Sequence, residues 1–520
     1  MEKKILGIII CTLLIATAIP ALGTEINTSN CTMQQVLLTG VEWSLTYDRG
    51  EFDECRYIIQ TMPDKGYLTC GVTEESDNYY VWLLKLDSDG NEEWLVVNYD
   101  LNGSYIDAYN MDVFSFHIIQ TTDEGFLITG ASMVSDEVQG ELVWATAGYL
   151  WKIDASGSTE WVQHYYSVDE LRLDFTYATI EIQDGYVSTG FSIYYNITGY
   201  VIDIDGFLMH TDFNGNLIWI QFYEATGEDF LTSLCKTSDG GYLCTGWIDS
   251  TEVADGALWM LKTDDTGEKQ WEHIFDGPGF EYTYGKGCFE TSDGGYIMAG
   301  NTGSYGAGAV DSWVIKTDGS GNEVWNQTFG FKYQDYTWCM DKTTDGTYAI
   351  VITKNIYSAG GTRDDIFVVE FNETGETEWS YLNEEAGIQR VTGIYHTDDH
   401  GFIVSGRTYE YGVSASDGII YKIGAFPHLD IAISGGIGVK ATITNNGFGD
   451  AIDVPYEIII TGGLLGMINK TISDTVDISS KATETTKSRL LFGFGPIQVT
   501  ATVGPKMATD NLFQFLIITI

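Results

Sequence analysis

Two acidic positions recur along this chain at spacings that could build a ring of oxygen ligands. Asp205, Asp311, Asp365 and Asp417 each stand five residues before a Lys, His or Glu, and Asp53, Asp229, Glu281 and Asp335 each stand just ahead of a strand-forming run. Carboxylates gathered around one mouth suit Ca²⁺, a hard cation that takes carboxylate and carbonyl oxygens. The competing role is architectural, because an acid repeated at equivalent places can accept backbone N–H groups that would otherwise be buried unpaired. A second column holds Lys85, Lys152, Lys262, Lys316 and Lys422, with His210 and Glu370 in its other two places. It reads as buried ion pairs with neighbouring repeats, the two exceptions being mild pointers to function. Cys235 and Cys244 flank the turn KTSDGGYL and are the pair expected to meet in a disulfide across a hairpin. The seven His residues show no metal-binding spacing, and no GxSxG, Walker or CxxC motif occurs.

The elements that must position these residues are repeats. A turn followed by an aromatic recurs as PDKGYLTCG, TDEGFLITG, IQDGYVSTG, SDGGYLCTG, SDGGYIMAG, TDGTYAIVI and DDHGFIVSG. A second element follows the first six copies: LDSDGNEEW, IDASGSTEW, TDFNGNLIW, TDDTGEKQW, TDGSGNEVW and FNETGETEW. It is missing after the seventh, and its Glu-Trp end stands near the start instead, as Glu42-Trp43. Gly in Asp-Gly and Gly-Gly supplies the positive backbone angles of tight turns, and the flanks are rich in strand formers. Two hairpins per period make a four-stranded sheet that cannot cover both its faces alone. Copies must therefore stack, and seven around an axis close into a propeller, with the Trp43 strand completing the last blade. The Asp residues that open the second element, Asp87, Asp154, Asp212, Asp264 and Asp318, read as turn caps.

The LDxxxGxxxW element resembles the repeat of quinoprotein-like, PQQ-type β-propellers, over about residues 40–424. In that family the dehydrogenases carry eight blades and an adjacent-cysteine disulfide ring. Seven repeats and no adjacent cysteines do not support quinone-dependent dehydrogenase activity here. From residue 425 onward there is no Trp and no Cys, and about seven short strands are separated by Gly, Asn and Asp turns. GVKATITNNGFGDAIDVPYEI resembles the CARDB-like adhesion modules of secreted proteins, and the spacing reads as an immunoglobulin-like sandwich.

The expected fold is thus all-β, a seven-bladed β-propeller followed by an immunoglobulin-like β-sandwich. Residues 1–23 read as a signal peptide, 24–39 as an N-terminal segment, 40–424 as the propeller and 425–520 as the sandwich. Lys3-Lys4, an apolar run and an exit at Pro20-Ala21-Leu22-Gly23 carry the signal reading, an uncleaved anchor being the alternative. No stable membrane span is expected after cleavage, since FQFLIITI is too short and reads as a final strand. The protein is expected to be secreted or at the cell surface. Seven Asn-x-Ser/Thr sequons, at Asn27, Asn30, Asn102, Asn196, Asn326, Asn372 and Asn469, fit that compartment.

With 26 Lys+Arg against 74 Asp+Glu the net charge is −48, which repels phosphate backbones and argues against nucleic-acid binding. A glycan, an extracellular protein or a cation is left as partner, and no cofactor beyond Ca²⁺ is expected. Variable loops on the face opposite the DGGY turns, rich in carboxylates and Tyr, are the expected binding surface. The expected function is a non-catalytic binding or adhesion scaffold. The alternative is an extracellular polysaccharide-acting enzyme with a carboxylate pair in the propeller channel.

Overall fold

The computed structural model describes residues 41–514, apart from 49–51, 76–77, 108–109, 112–113, 139–140, 168–171, 196–200, 225–226, 250–255, 284, 359–360, 384–387, 410–415, 435–438, 464–467, 488–494 and 504–505. The signal segment, the sequons at Asn27, Asn30 and Asn196, and Cys11 and Cys31 lie outside the described residues. Every element among the described residues is a β-strand, and none is a helix long and apolar enough to cross a membrane.

The repeat at Tyr242 shows how the sequence folds. Glu228–Lys236, Tyr242–Asp249, Ala257–Thr263 and Lys269–Phe275 pair antiparallel in chain order. The first turn closes through Thr237 and Gly241, with Gly240 at a φ of 94° that a side chain would strain. The same meander recurs along residues 53–423, and the first and last repeats are joined through the chain ends. Val41–Tyr47 pairs with Asp417–Ile423, setting Trp43 opposite Lys422, and so completes the sheet of the final repeat. The architecture is an all-β, propeller-type fold.

Three side-chain locks explain the repeated residues. The Lys column reaches the Asp of the DGGY-type turn in its own repeat: Lys85 Nζ lies 2.6 Å from Asp64, Lys262 2.9 Å from Asp239, Lys316 2.8 Å from Asp293 and Lys422 2.8 Å from Asp399. These pairs run within one repeat, not between neighbours as expected, because the third strand passes directly behind the turn. The Asp that opens the second element caps it: Oδ1 of Asp87, Asp154, Asp212, Asp264 and Asp318 accepts the N–H groups two and four residues on. The third lock joins repeats. Each Trp covers the glycine of the next copy's capped turn, as Trp43 covers Gly90, Trp94 covers Gly157, Trp219 covers Gly267 and Trp325 covers Gly375. Those glycines have φ near 83°, so the site demands glycine twice, for conformation and for the ring.

Beyond residue 425 two sheets face each other. Leu429–Ser434, Lys440–Asn445 and Thr483–Lys487 form one. The other is Ile468–Ile478, Ala451–Gly462, Gly495–Val503 and Lys506–Gln514. Ala441, Ile458, Ile460, Val499 and Ala501 fill the space between them. Most of FQFLIITI lies outside the described residues. Trp379, which has no following capped turn to cover, stacks instead on Phe426 of the connecting segment, ring centroids 3.2 Å apart.

The expected Cys235–Cys244 disulfide does not form. Cys235 is opposite Leu243 and Cys244 opposite Leu234, so the one-residue offset sends the two thiols to opposite faces of the hairpin. No disulfide joins any of the six described cysteines.

Candidate functional site

The innermost strand of each repeat carries an irregularity at one equivalent place. The register shifts between Cys55 and Tyr57, Ser115 and His117, Thr176 and Ala178, Leu231 and Ser233, Thr337 and Cys339, and Val391 and Gly393. In the remaining repeat the strand is interrupted, with Gly285 and Lys286 between Glu281–Tyr282 and Cys288–Glu290. A bulge re-aims a side chain that an ordinary pleat would send into the sheet face. Here the skipped residues Arg56, Phe116, Tyr177, Thr232, Trp338 and Thr392, together with Lys286, line one cavity of about 110 Å³. The scaffold repeats; the residues at its centre do not.

The polar groups of this cavity are mostly hydrogen-bond donors. Lys286 is about a fifth exposed, and its ammonium lies 3.4 Å from Asp341 Oδ1, while Asp341 Oδ2 accepts the His396 N–H at 2.7 Å. Burial opposes the charge on Lys286, but Tyr57 and Asp341 outweigh it and hold the ammonium well above the ordinary lysine range. The Tyr57 hydroxyl is buried, faces that ammonium and has no hydrogen bond of regular geometry. Burial drives its pKa well up, so it is a neutral phenol. His117 stacks obliquely on Tyr57, centroids 4.7 Å apart. Its Nδ1 accepts the Thr179 N–H at 3.3 Å, which leaves the ring proton on Nε2, and burial pushes its pKa down to about 3. Thr232 Oγ1 is a second buried hydroxyl without a partner. Phe116 and Tyr177 stack face to face at 3.9 Å and form an aromatic wall. Arg56 is held 2.9 Å from Glu54.

The sequence-predicted acids lie elsewhere. Asp53, Asp205, Asp229, Glu281, Asp311, Asp335 and Asp365 are all buried, between 0% and 6% exposed, and Asp417 is partly buried. Asp53, Glu281, Asp311, Asp335 and Asp417 open their strands and Asp229 is second in its own, whereas Asp205 and Asp365 lie inside Val201–Thr211 and Gly361–Phe371. Asp335 Oδ2 accepts the Phe331 N–H at 2.5 Å, Asp311 Oδ2 accepts that of Gly308 at 2.8 Å, and Glu281 accepts the Gly277 N–H and the Thr302 hydroxyl. Burial raises Asp205 and Asp335 to about 6. Among the described residues no group of three or more His, Cys, Asp or Glu is arranged to hold a metal ion. The two exceptions in the Lys column have local partners: His210 lies 3.6 Å from Asp184 and Glu370 3.2 Å from His428. Nothing that recurs in the sequence marks the cavity residues. Phe116, Thr232, Lys286, Trp338 and Thr392 each stand ten residues before the turn aromatic, and the signal was that this place varies freely.

No family model and no curated protein matches this chain. Solved structures do. Puromycin hydrolase aligns with 72% of this chain and 58% of its own length at 12% identity and a TM-score of 0.41. Acylaminoacyl peptidase of Pyrococcus horikoshii aligns with 76% and 58% at 9% identity and 0.38, and the periplasmic gluconolactonase of Pseudomonas aeruginosa with 69% and 98% at 12% and 0.30. The chain thus matches about three fifths of the first two proteins' length, and the likeness is one of propeller-type fold. Against the expectation of a non-catalytic binding or adhesion scaffold, these three structures are named as a hydrolase, a peptidase and a lactonase.

Proposed function

We propose that this protein is an exported enzyme that carries out acid–base chemistry on a saccharide-sized polar substrate in the axial cavity. The observation that carries the reading is the Tyr57 hydroxyl, buried beside the Lys286 ammonium in a cavity wall with no regular hydrogen bond of its own. A buried donor left unpaired costs about 1–3 kcal/mol, and a substrate oxygen offsets that cost. Lys286 and the His117 Nε2–H stabilise negative charge developing on that oxygen, and Tyr57 delivers a proton to it. Thr232 anchors a hydroxyl, and the Phe116–Tyr177 wall stacks against the apolar face of a sugar ring. The expected carboxylate pair is replaced by this set, because no Asp or Glu is among the described lining residues. At a net charge of −48 the substrate is neutral, since a polyanion is repelled before it reaches the cavity.

In the finer reading the propeller has seven blades built on the quinoprotein-like repeat, and the terminal module is an immunoglobulin-like, CARDB-like spacer. The leader is cleaved after Gly23 and the mature protein is secreted or surface-bound, with glycans on exposed sequons. The buried acids are architectural, and Ca²⁺ is reserved for the partly buried Asp417. The test is release of new reducing ends from a panel of neutral polysaccharides by the exported chain. Turnover that falls a hundredfold or more in Lys286→Met and in Tyr57→Phe, with unchanged melting, supports the reading. Absence of turnover, or turnover that survives both substitutions, overturns it.

A further inference from the structure

The thiol rejected by Cys244 has another neighbour. Cys235 closes Glu228–Lys236 and is opposite Leu243, whose carbonyl accepts the Cys288 thiol at 3.7 Å. Cys288 opens the innermost strand Cys288–Glu290 of the next repeat, 3.3 Å from Ser233 Oγ. Both sulfurs pack on the one cluster built from Leu243, Met260, Tyr296, Met298 and Ile315. Cys235 is partly exposed and Cys288 is 1% exposed, so the pair has one accessible and one enclosed member.

We infer that Cys235 and Cys288 are a modification site, a thiol pair that oxidises to a disulfide bridging two adjacent repeats. The oxidant is a small-molecule disulfide. Cys235, whose pKa Cys288 and burial raise well above the ordinary thiol value, loses its proton to solvent in a minor fraction of molecules and attacks one sulfur of the oxidant, releasing one reduced thiol and leaving a mixed disulfide. Cys288 then attacks the Cys235 sulfur, its own proton goes to the departing thiolate, and a second reduced thiol leaves. The two protein thiols lose two electrons in all, and the oxidant gains them. Before oxidation the Cys235 thiol is hydrogen-bonded to the Cys288 sulfur, which sets the two sulfurs side by side, and the Ser233 hydroxyl remains against Cys288 for the second attack. The bridge ties two strands of adjacent repeats covalently, next to the Lys286 segment of the cavity.

The experiment treats the purified full exported chain with oxidised glutathione, alkylates it without reductant and maps its peptides by mass spectrometry. The expected result is a Cys235–Cys288 cross-linked peptide, a melting temperature several degrees above that of the dithiothreitol-treated chain, and loss of that difference in Cys235→Ser. In Cys288→Ser, Cys235 should carry a glutathione adduct, the trapped first step. Two alkylated thiols after oxidation, or a bridge from Cys235 to Cys244, overturns the inference. Because the readout is covalent, it is independent of whether the cavity proves to be catalytic.

Discussion

His428 Nε2 lies 3.2 Å from Glu370 Oε2, so the acid that interrupts the Lys column is met by the segment that leads out of the last repeat. Elsewhere that column pairs with the Asp of its own turn, but this repeat has Thr347 where the others carry glycine; the Thr347 hydroxyl donates to Glu370 Oε1, and Oε2 reaches outward. Burial lowers the pKa of His428, but Glu370, with Glu378 and Asp345, outweighs it and raises it above the ordinary value. Around it lie His400, 3.5 Å from Asp345 and stacked on Phe448, and His396, whose pKa burial lowers. Lys481 covers the other side of Phe448.

The sign of the pH dependence follows. A histidine whose folded pKa is raised adds stability that is fully present below its unfolded value near 6.5 and is lost as pH rises through the folded value. Melting temperature should therefore decline as pH rises from about 6 to 8, and the slope should shrink in His428→Gln. A slope unchanged by that substitution contradicts the ion pair.

The buried acids give a second slope at lower pH. Asp335 is raised to about 6, chiefly by burial, with the Asp311 charge adding to it. The folded state thus keeps a proton that the unfolded chain has released, and stability falls as pH rises from about 4 to 6. Asp335→Asn should flatten this part of the profile measured by denaturant titration. If the profile is unchanged, Asp335 is ionised throughout.

The Trp–Gly lock predicts a large, local cost. Replacing Gly267 with Ala puts a methyl group within 2.9 Å of the Trp219 ring and requires a φ of 84°. Strain and displaced packing together should cost about 2–4 kcal/mol in urea unfolding. The same change at Gly424, which has an ordinary φ and meets the flexible end of Glu42, should cost far less. Equal costs would mean that the ring contact contributes nothing.

Lys262 is 1% exposed and donates to both carboxylate oxygens of Asp239, whose pKa it pulls down to about 2. Asp239→Asn leaves the ammonium with Thr263 O and Gln270, at 2.8 and 3.3 Å. Because Asp239 is half exposed, the loss should be about 1–2 kcal/mol, below the cost of breaking a fully buried pair. The wild-type contribution is present above pH 4 and disappears as pH falls through 2. A neutral result would assign the turn to its glycine alone.

The repeat was legible because it is written in residues with a single physical use: Gly at positive φ, Asp as turn cap, Trp as the cover of the next turn. The closing strand was legible for the same reason, since Trp43 arrives without the rest of its element. The cavity was not. Its residues are placed by a bulge, and a one-residue register shift leaves no mark on alternation that a single strand would show. The acids could be read two ways, because periodic carboxylates look alike in sequence whether they hold a cation or accept backbone N–H groups, and burial, which bears on that choice, is not written in their spacing. The cysteines failed through register, since spacing across a hairpin does not reveal the face on which a thiol emerges.

The most direct measurement compares two variants of the exported chain on whichever neutral saccharide the wild type turns over. Lys286→Met removes the cavity's ammonium, and Asp417→Asn removes the acid of the outer ring that remains partly exposed. The expected outcome is a kcat reduced a hundredfold or more in the first, a kcat within twofold of wild type in the second, and similar melting temperatures in both. A kcat lost in Asp417→Asn and retained in Lys286→Met would move the chemistry from the axis to the loop face and contradict the central claim.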